Sequence, residues 1–176
     1  MTNITAREIE KAIRNVPDFP QPGIQFKDIT PVLADPNLFA GSIELLTAGF
    51  APGSVDAVVG IDARGFIFAA AAAIKLKAGF VPVRKKGKLP FSTIEQDYAL
   101  EYGSATVAMH VDALKPGARV LLLDDLLATG GTAAAAISLM KKLNAQILGV
   151  NFLIELKFLN GREKLPGCPV NSIVSY

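Results

Sequence analysis

A continuous apolar run that stops at two adjacent acids, VLLLDDLLATGGTAAAA from Val120 to Ala136, constrains this chain more than any other segment. The uninterrupted residues Val120 to Leu123 are those of a strand covered on both faces in a parallel sheet, and Asp124 and Asp125 are expected to end it. Side chains on a regular strand alternate faces. Two neighbouring aspartates can therefore serve one ligand only where the chain leaves the strand at its carboxyl end, which is where open α/β sheets bind ligands. Thr129, Gly130, Gly131 and Thr132 then open a helix whose apolar positions Ala136, Met140 and Leu143 follow i, i+4, i+7 spacing.

The chemistry of this segment is that of an anion cradle. Glycines let backbone N–H groups approach an anion, threonines add hydroxyl donors, and a helix N-terminus favours negative charge. A terminal phosphate fits the loop, with sugar hydroxyls reaching back to Asp124 and Asp125. The plainer alternative is that the aspartates cap a turn and the glycines merely shape it. Against it, adjacent like charges repel, and ionised groups directly after a buried strand are costly unless a ligand or donor meets them. Neither G-x-x-x-x-G-K-[ST] nor a strand-linked G-x-G-x-x-G occurs, which argues against the common nucleotide fingerprints.

A chain of 176 residues holds one sizeable core, and no Pro/Gly/Ser-rich linker or charge block divides it. One domain over residues 1–176 is expected. A formal charge of +2 does not call for nucleic acid or an anionic membrane. The single cysteine, Cys168, excludes an internal disulfide and fits a reducing compartment. No apolar signal core opens the chain and no apolar run is long enough to span a bilayer, so the expected location is cytoplasmic. The only histidine, His110, rules out a histidine-rich metal site.

Thr5 and Glu8 form a capping-box pattern before Ile9, Ala12, Ile13 and Val16, which predicts an amphipathic N-terminal helix. Pro17, Pro20, Pro22 and Gly23 stop it and predict an irregular hood, so that helix and hood together occupy residues 1–34. Further helices are expected over Leu38–Phe50 and the Ala-rich Arg64–Lys77, and strands over Asp56–Ile61, Val81–Val83, Ala105–Val111 and Ile147–Ile154. The segment Gly87–Gly103 has little periodicity and is expected to be a long loop, of the kind that acts as a lid. Strands alternating with helices predict an α/β fold with a central, mostly parallel sheet flanked by helices.

The segment DDLLATGGT resembles the phosphoribosyl pyrophosphate (PRPP) motif of type I phosphoribosyltransferases, and is similar to the branch of that family that uses adenine. QPGIQFKDITPVL, GIDARGFIFA, VPVRKKGKLP and YALEYG extend the resemblance in the same order over nearly the whole chain, weakening after about Gly161. It implies the type I phosphoribosyltransferase fold with an N-terminal hood and a lid loop over residues 87–103. It also implies the reaction adenine + PRPP = AMP + pyrophosphate, within purine salvage.

What the resemblance implies for individual residues follows. Asp124 and Asp125 orient the ribose, while Ala128, Thr129, Gly130, Gly131 and Thr132 hold the 5-phosphate. Arg64 and Lys85 are pyrophosphate ligands, with Lys85 able to reach a neighbouring subunit of a homodimer. Arg64 lies between a short strand and a helix, where guanidinium and helix N-terminus can hold one pyrophosphate together. Lys88 is counted with them, although Arg84, Lys86 and Lys88 read equally well as a solvated basic face. The peptide between Asp62 and Ala63 is expected to be cis. Glu101 is the proposed acid/base group on the imidazole side of adenine, and with Arg64 makes up the catalytic pair. Gln25, Phe26, Lys27 and Leu126 contact the base, Lys27 standing where arginine is frequent. Mg2+ arrives on PRPP near Asp124 and Asp125, with no direct protein ligand. Two rivals remain open at this level: a 6-oxopurine transferase, and a non-catalytic PRPP-sensing regulator.

Overall fold

A computed structural model describes residues 4–99 and 103–176. Within it the chain packs as two compact units, residues 1–45 and 46–176, where a single domain with a hood to residue 34 is the sequence expectation.

In the first unit α1 (Ala6–Ala12) starts on the predicted capping box. The Thr5 hydroxyl accepts from the Glu8 N–H at 3.4 Å and the Glu8 carboxylate accepts from the Thr5 N–H at 2.8 Å. Those bonds hold the Glu8 carboxyl below its usual range. The helix is shorter than its apolar spacing suggests, because Val16 belongs to a strand. The expected irregular hood is a two-stranded antiparallel ribbon, β1 (Arg14–Pro17) with β2 (Gln25–Asp28), pairing Val16 with Phe26. The prolines sit at its end and in the connection, where no ladder N–H is needed, and the Phe19–Pro20 peptide is cis. An Arg14–Asp28 ion pair at 3.0 Å ties the strands together. Then come α2 (Thr30–Ala34) and α3 (Pro36–Leu46), the latter ending four residues short of the predicted Phe50.

The second unit is built on a seven-stranded sheet in the order β5-β6-β4-β3-β7-β8-β9. Its strands are β3 (Ala57–Ile61), β4 (Gly79–Lys85), β5 (Thr93–Ala99), β6 (Ser104–His110), β7 (Arg119–Leu127), β8 (Gln146–Glu155) and β9 (Val170–Ser175). β4, β3, β7, β8 and β9 run parallel, and β5 and β6 are antiparallel additions at one edge. Every residue of β3 is buried, as a central strand covered on both faces demands. Val59 and Ile61 join the cluster built on α5 (Gly131–Lys142), while Gly60 abuts Ala69 of α4 (Arg64–Leu76), so the two helices cover opposite faces. Small residues on α4 permit that close approach: a Cβ on Gly60 would lie 2.7 Å from the Ala69 methyl. Fully buried Leu121, Leu122 and Leu123 each contribute roughly 1.5–3 kcal/mol of burial.

Two expectations need correction. Asp124 and Asp125 do not end their strand: β7 continues to Leu127, with Asp124, Leu126 and Leu127 in register with Phe152, Ile154 and Glu155 of β8. The partner strand runs on, and its ladder holds the acids in extended backbone. Nor are the described residues of Gly87–Gly103 all loop, residues 100–102 lying outside the described residues. β5 pairs with β6 from Thr93↔His110 to Ala99↔Ser104. Ile94 and Tyr98 pack against the core while the alternate face carries Thr93, Glu95 and Asp97. The polar residues hide a period of two that only the neighbouring strand reveals.

The bottom of the sheet is braced by an ion pair. The Arg119 side chain donates to both oxygens of Asp56, Nη2 to Oδ1 at 2.7 Å and Nε to Oδ2 at 3.1 Å, joining the entries of β3 and β7. Hydrogen bonds from Arg119 draw the Asp56 carboxyl from its ordinary 3.8 down to about 2. A depressed acid stabilises the fold above its unfolded value and loses that contribution as pH falls through its folded value. The stability gap between wild type and Asp56→Asn is therefore expected to close between about pH 4 and about pH 2, followed by urea midpoints. A gap that stays constant over that window excludes the pair.

Candidate active site

β3 has β4 on one side and β7 on the other, so the strand order reverses at β3, and the carboxyl ends of β3 and β7 flank a crevice. At the β3 end the chain passes through Asp62, a cis Asp62–Ala63 peptide as expected, and directly into α4 at Arg64. No side chain caps this helix, so its first turn is open to an anion. Arg64 Nε lies 2.6 Å from Asp125 Oδ2, with the guanidinium side chain 40% exposed and the carboxylate buried. Asp62 is held by Arg84, whose Nε donates to it at 2.8 Å. The helix start presses on β7: a Cβ on Gly65 would lie 2.6 Å from Asp124 Oδ1.

At the β7 end Asp124 Oδ1 accepts the Asp125 N–H at 2.9 Å. Burial and the neighbouring Asp125 charge push the Asp124 carboxyl well above the usual aspartate range. Burial also raises Asp125, against the pull of the Arg64 charge. Two acids beside one guanidinium leave an oxygen-rich surface, suited to sugar hydroxyls or a hard cation. Past Leu127 the chain turns through Ala128 and Thr129 to Gly130, which adopts the left-handed conformation (φ 77°) and leads into α5 without a side-chain cap. Strand end, loop and helix start enclose a cavity of about 460 Å³.

Arg64, Asp124, Asp125, Leu126 and Ala128, Thr129, Gly130, Gly131 and Thr132 all line this cavity. Ile61, Asp62, Ala63, Leu127 and Ala133 join them without having been singled out as ligands; the junctions of β3 with α4 and of the loop with α5 were the available signals. Lys85 and Lys88 do not line it. They are exposed, at the end of β4 and beyond the turn after it, where the Lys88 carbonyl accepts from Arg84 at 3.0 Å. Tyr98 of β5 was not singled out either, yet its ring meets Gly131: a Cβ there would lie 3.2 Å from Tyr98 Cδ2.

Gln25, Phe26 and Lys27 lie on β2 of the first unit. The Gln25 side chain accepts from Asn15 at 2.9 Å, and Phe26 stacks edge-on against Phe19 with centroids 5.1 Å apart. Glu101 lies outside the described residues. Among the described residues no cluster of three or more His, Cys, Asp or Glu is placed to hold a metal ion, and no helix is long and apolar enough to cross a membrane.

Comparison with known proteins gives consistent matches over nearly the whole chain. Residues 30–164 match the model of the phosphoribosyl transferase domain. The adenine phosphoribosyltransferase of Acidothermus cellulolyticus is 58% identical over 162 residues, 92% of each chain. That of Cutibacterium acnes is 53% identical over 170 residues, covering 95% of this chain and 96% of its own. Among solved structures, adenine phosphoribosyltransferase from Rhodothermus marinus matches with a TM-score of 0.92 at 52% identity, covering 97% of this chain and 98% of its own. The Saccharomyces cerevisiae enzyme, complexed with an imino-altritol bisphosphate and adenine, matches with a TM-score of 0.90 at 41% identity over 96% and 97% of the two chains.

Proposed function

Because the chain belongs to the phosphoribosyl transferase domain family, with adenine phosphoribosyltransferases as its relatives, we propose a division of labour among its residues for the reaction adenine + PRPP = AMP + pyrophosphate. The observation that carries the reading is the convergence of Arg64, the Asp124–Asp125 pair and the Ala128–Thr132 loop on one cavity at the strand-order reversal.

The loop receives the 5-phosphate on backbone N–H groups and the Thr129 and Thr132 hydroxyls, helped by the N-terminus of α5. Asp124 and Asp125 accept hydrogen bonds from the ribose hydroxyls. Arg64, at the open start of α4, takes the pyrophosphate, with Lys85 and Lys88 as further cations and Lys85 serving either its own site or that of a second copy in a homodimer. As the bond from C1 to pyrophosphate breaks, the electron pair leaves with pyrophosphate and positive charge develops on the ribose ring. Catalysis is then mainly positioning and charge stabilisation: Arg64 steadies the leaving group and the acids face the ring. The nitrogen of adenine's imidazole side forms the new bond to C1, and Glu101 accepts its proton. Gln25, Phe26, Lys27 and Leu126 are the proposed base contacts.

Magnesium carried by PRPP would neutralise charge on the pyrophosphate, and the oxygen-rich Asp124–Asp125 pair fits a hydrated hard cation held close by. The segment Gly87–Gly103, which includes β5, is the proposed lid, excluding water from the electrophilic carbon. A cytoplasmic setting suits the single unpaired cysteine.

The direct test is AMP synthesis from adenine, PRPP and Mg2+ in competition with hypoxanthine and guanine. Adenine is expected to be consumed. Preference for a 6-oxopurine would overturn the base assignment, and absence of turnover at saturating substrates would favour a regulator. Glu101→Gln is expected to lower kcat by about 100-fold, the usual worth of a general base, with PRPP affinity retained. An unchanged rate removes Glu101 from the role.

A further inference from the structure

Resting on the reading of Ala128–Thr132 as the 5-phosphate loop, we propose that the Glu155–Arg162 ion pair is a positioning element for that loop, acting through Gly161. The loop is rich in small residues, and its path is set by backbone touching backbone. Gly161 is buried but does not line the cavity, so it meets the loop from behind. A Cβ on Gly130 would overlap the Gly161 carbonyl oxygen, and one on Gly161 would overlap the Ala128 carbonyl oxygen and stand 3.1 Å from the Gly130 nitrogen.

Gly161 opens a single 3-10 turn, Gly161–Lys164, between left-handed Asn160 and buried Leu165. The next residue supplies the anchor. Arg162 Nε donates to Glu155 Oε1 at 2.6 Å and Nη2 to Oε2 at 2.7 Å, a bidentate fork, while Nη1 donates to the Val170 carbonyl at 2.9 Å and Nη2 to the Ser172 hydroxyl at 3.3 Å. Glu155 is only 4% exposed and ends β8 in register with Leu127, the residue from which the loop departs. The Leu156 N–H reaches the Leu127 carbonyl at 2.9 Å. One guanidinium thus ties the exit of the acidic strand's neighbour, β9 and the turn carrying Gly161. The Arg162 hydrogen bonds keep the Glu155 carboxyl below its usual range, so the pair is charged at neutrality.

Backbone N–H groups bind a phosphate only while their vectors converge, and a shift of about 1 Å in such a group costs up to about 100-fold in activity. A planar fork restrains direction as well as distance, which a lysine point charge does not. Neither member of the pair lines the cavity, so its action is on the geometry of the loop.

The test uses Arg162→Lys, which keeps the charge and loses the fork, and Glu155→Gln, which keeps the shape and loses the charge, each checked for folding by thermal melting. In both, the KM for PRPP is expected to rise about tenfold, the worth of one weakened charge-assisted hydrogen bond. Inhibition by AMP should weaken by the same factor. The KM for adenine and kcat at saturating PRPP should stay within about twofold. Two results overturn the proposal: a PRPP KM unchanged in both variants, or losses that fall equally on PRPP, adenine and kcat alongside a lowered Tm. Thr132→Val tests the loop itself. If it raises the PRPP KM and the ion-pair variants do not, the positioning role alone fails. If it too has no effect, the loop reading fails and the positioning role with it.

Discussion

Gly130→Ala is expected to raise the KM for PRPP by two to three orders of magnitude. Two costs combine at this position. The residue sits at φ 77°, where an L side chain pays roughly 1–2 kcal/mol. Its new methyl would also meet the Gly161 backbone, and overpacking against an immobile neighbour adds roughly 1–3 kcal/mol. The sum, about 2–5 kcal/mol, can be relieved only by moving the loop away from the geometry that meets the phosphate. Gly117→Ala is the control: the same left-handed backbone (φ 78°), but open space around the added carbon. It should lower Tm slightly and leave PRPP kinetics alone. Equal PRPP KM values in the two variants would show that neither the strain nor the contact with Gly161 at position 130 displaces the loop.

Asp125→Asn and Asp124→Asn are the second pair of large effects. Each is expected to lower kcat/KM by about 10- to 150-fold, the loss of a hydrogen bond from a ribose hydroxyl to a charged acceptor, roughly 1.5–3 kcal/mol. Asp125→Asn should be the worse, because it also removes the partner of Arg64 at 2.6 Å. Stability should move the other way for Asp124. Burial and the Asp125 charge raise its carboxyl above the ordinary value. A raised acid contributes stability below its unfolded value and loses it as pH rises through its folded value, so near neutrality the Asp124 carboxyl opposes folding of the unliganded protein. Asp124→Asn should therefore melt higher than wild type at neutral pH, with the difference vanishing in acid. A lower melting temperature at neutrality would mean that the carboxylate is stabilised in place, contrary to its surroundings. The pair thus trades stability for a site that hydroxyls can use.

Much of this architecture is legible in residues that act locally. The apolar strands β3 and β7, the Ala-rich α4, the capping box at Thr5 and the glycine-opened α5 all follow from composition over a few positions. The Asp124–Asp125 pair and the glycine-bearing Ala128–Thr132 loop are marked locally as well, whereas the place of Arg64 beside them rests on the resemblance. What escapes is set by partners distant in sequence. β5 is a strand because β6 pairs with it and because Ile94 and Tyr98 find the core, while Glu95, Gln96 and Asp97 look like loop. β7 runs past its acids because β8 continues alongside. The Arg64–Asp125 contact spans 61 positions, and Gly161 backs the Ala128–Thr132 loop from a segment where motif resemblance fades.

The extension of β7 through both aspartates has a consequence for how ligand arrives. Acids carried on a hydrogen-bonded ladder, in register with β8 as far as Glu155, are frozen when the sheet forms. Their ordering entropy is spent during folding and does not recur at each encounter with substrate. The proposed ribose half of the site is thus a rigid template, and whatever ordering accompanies turnover falls on other parts of the molecule.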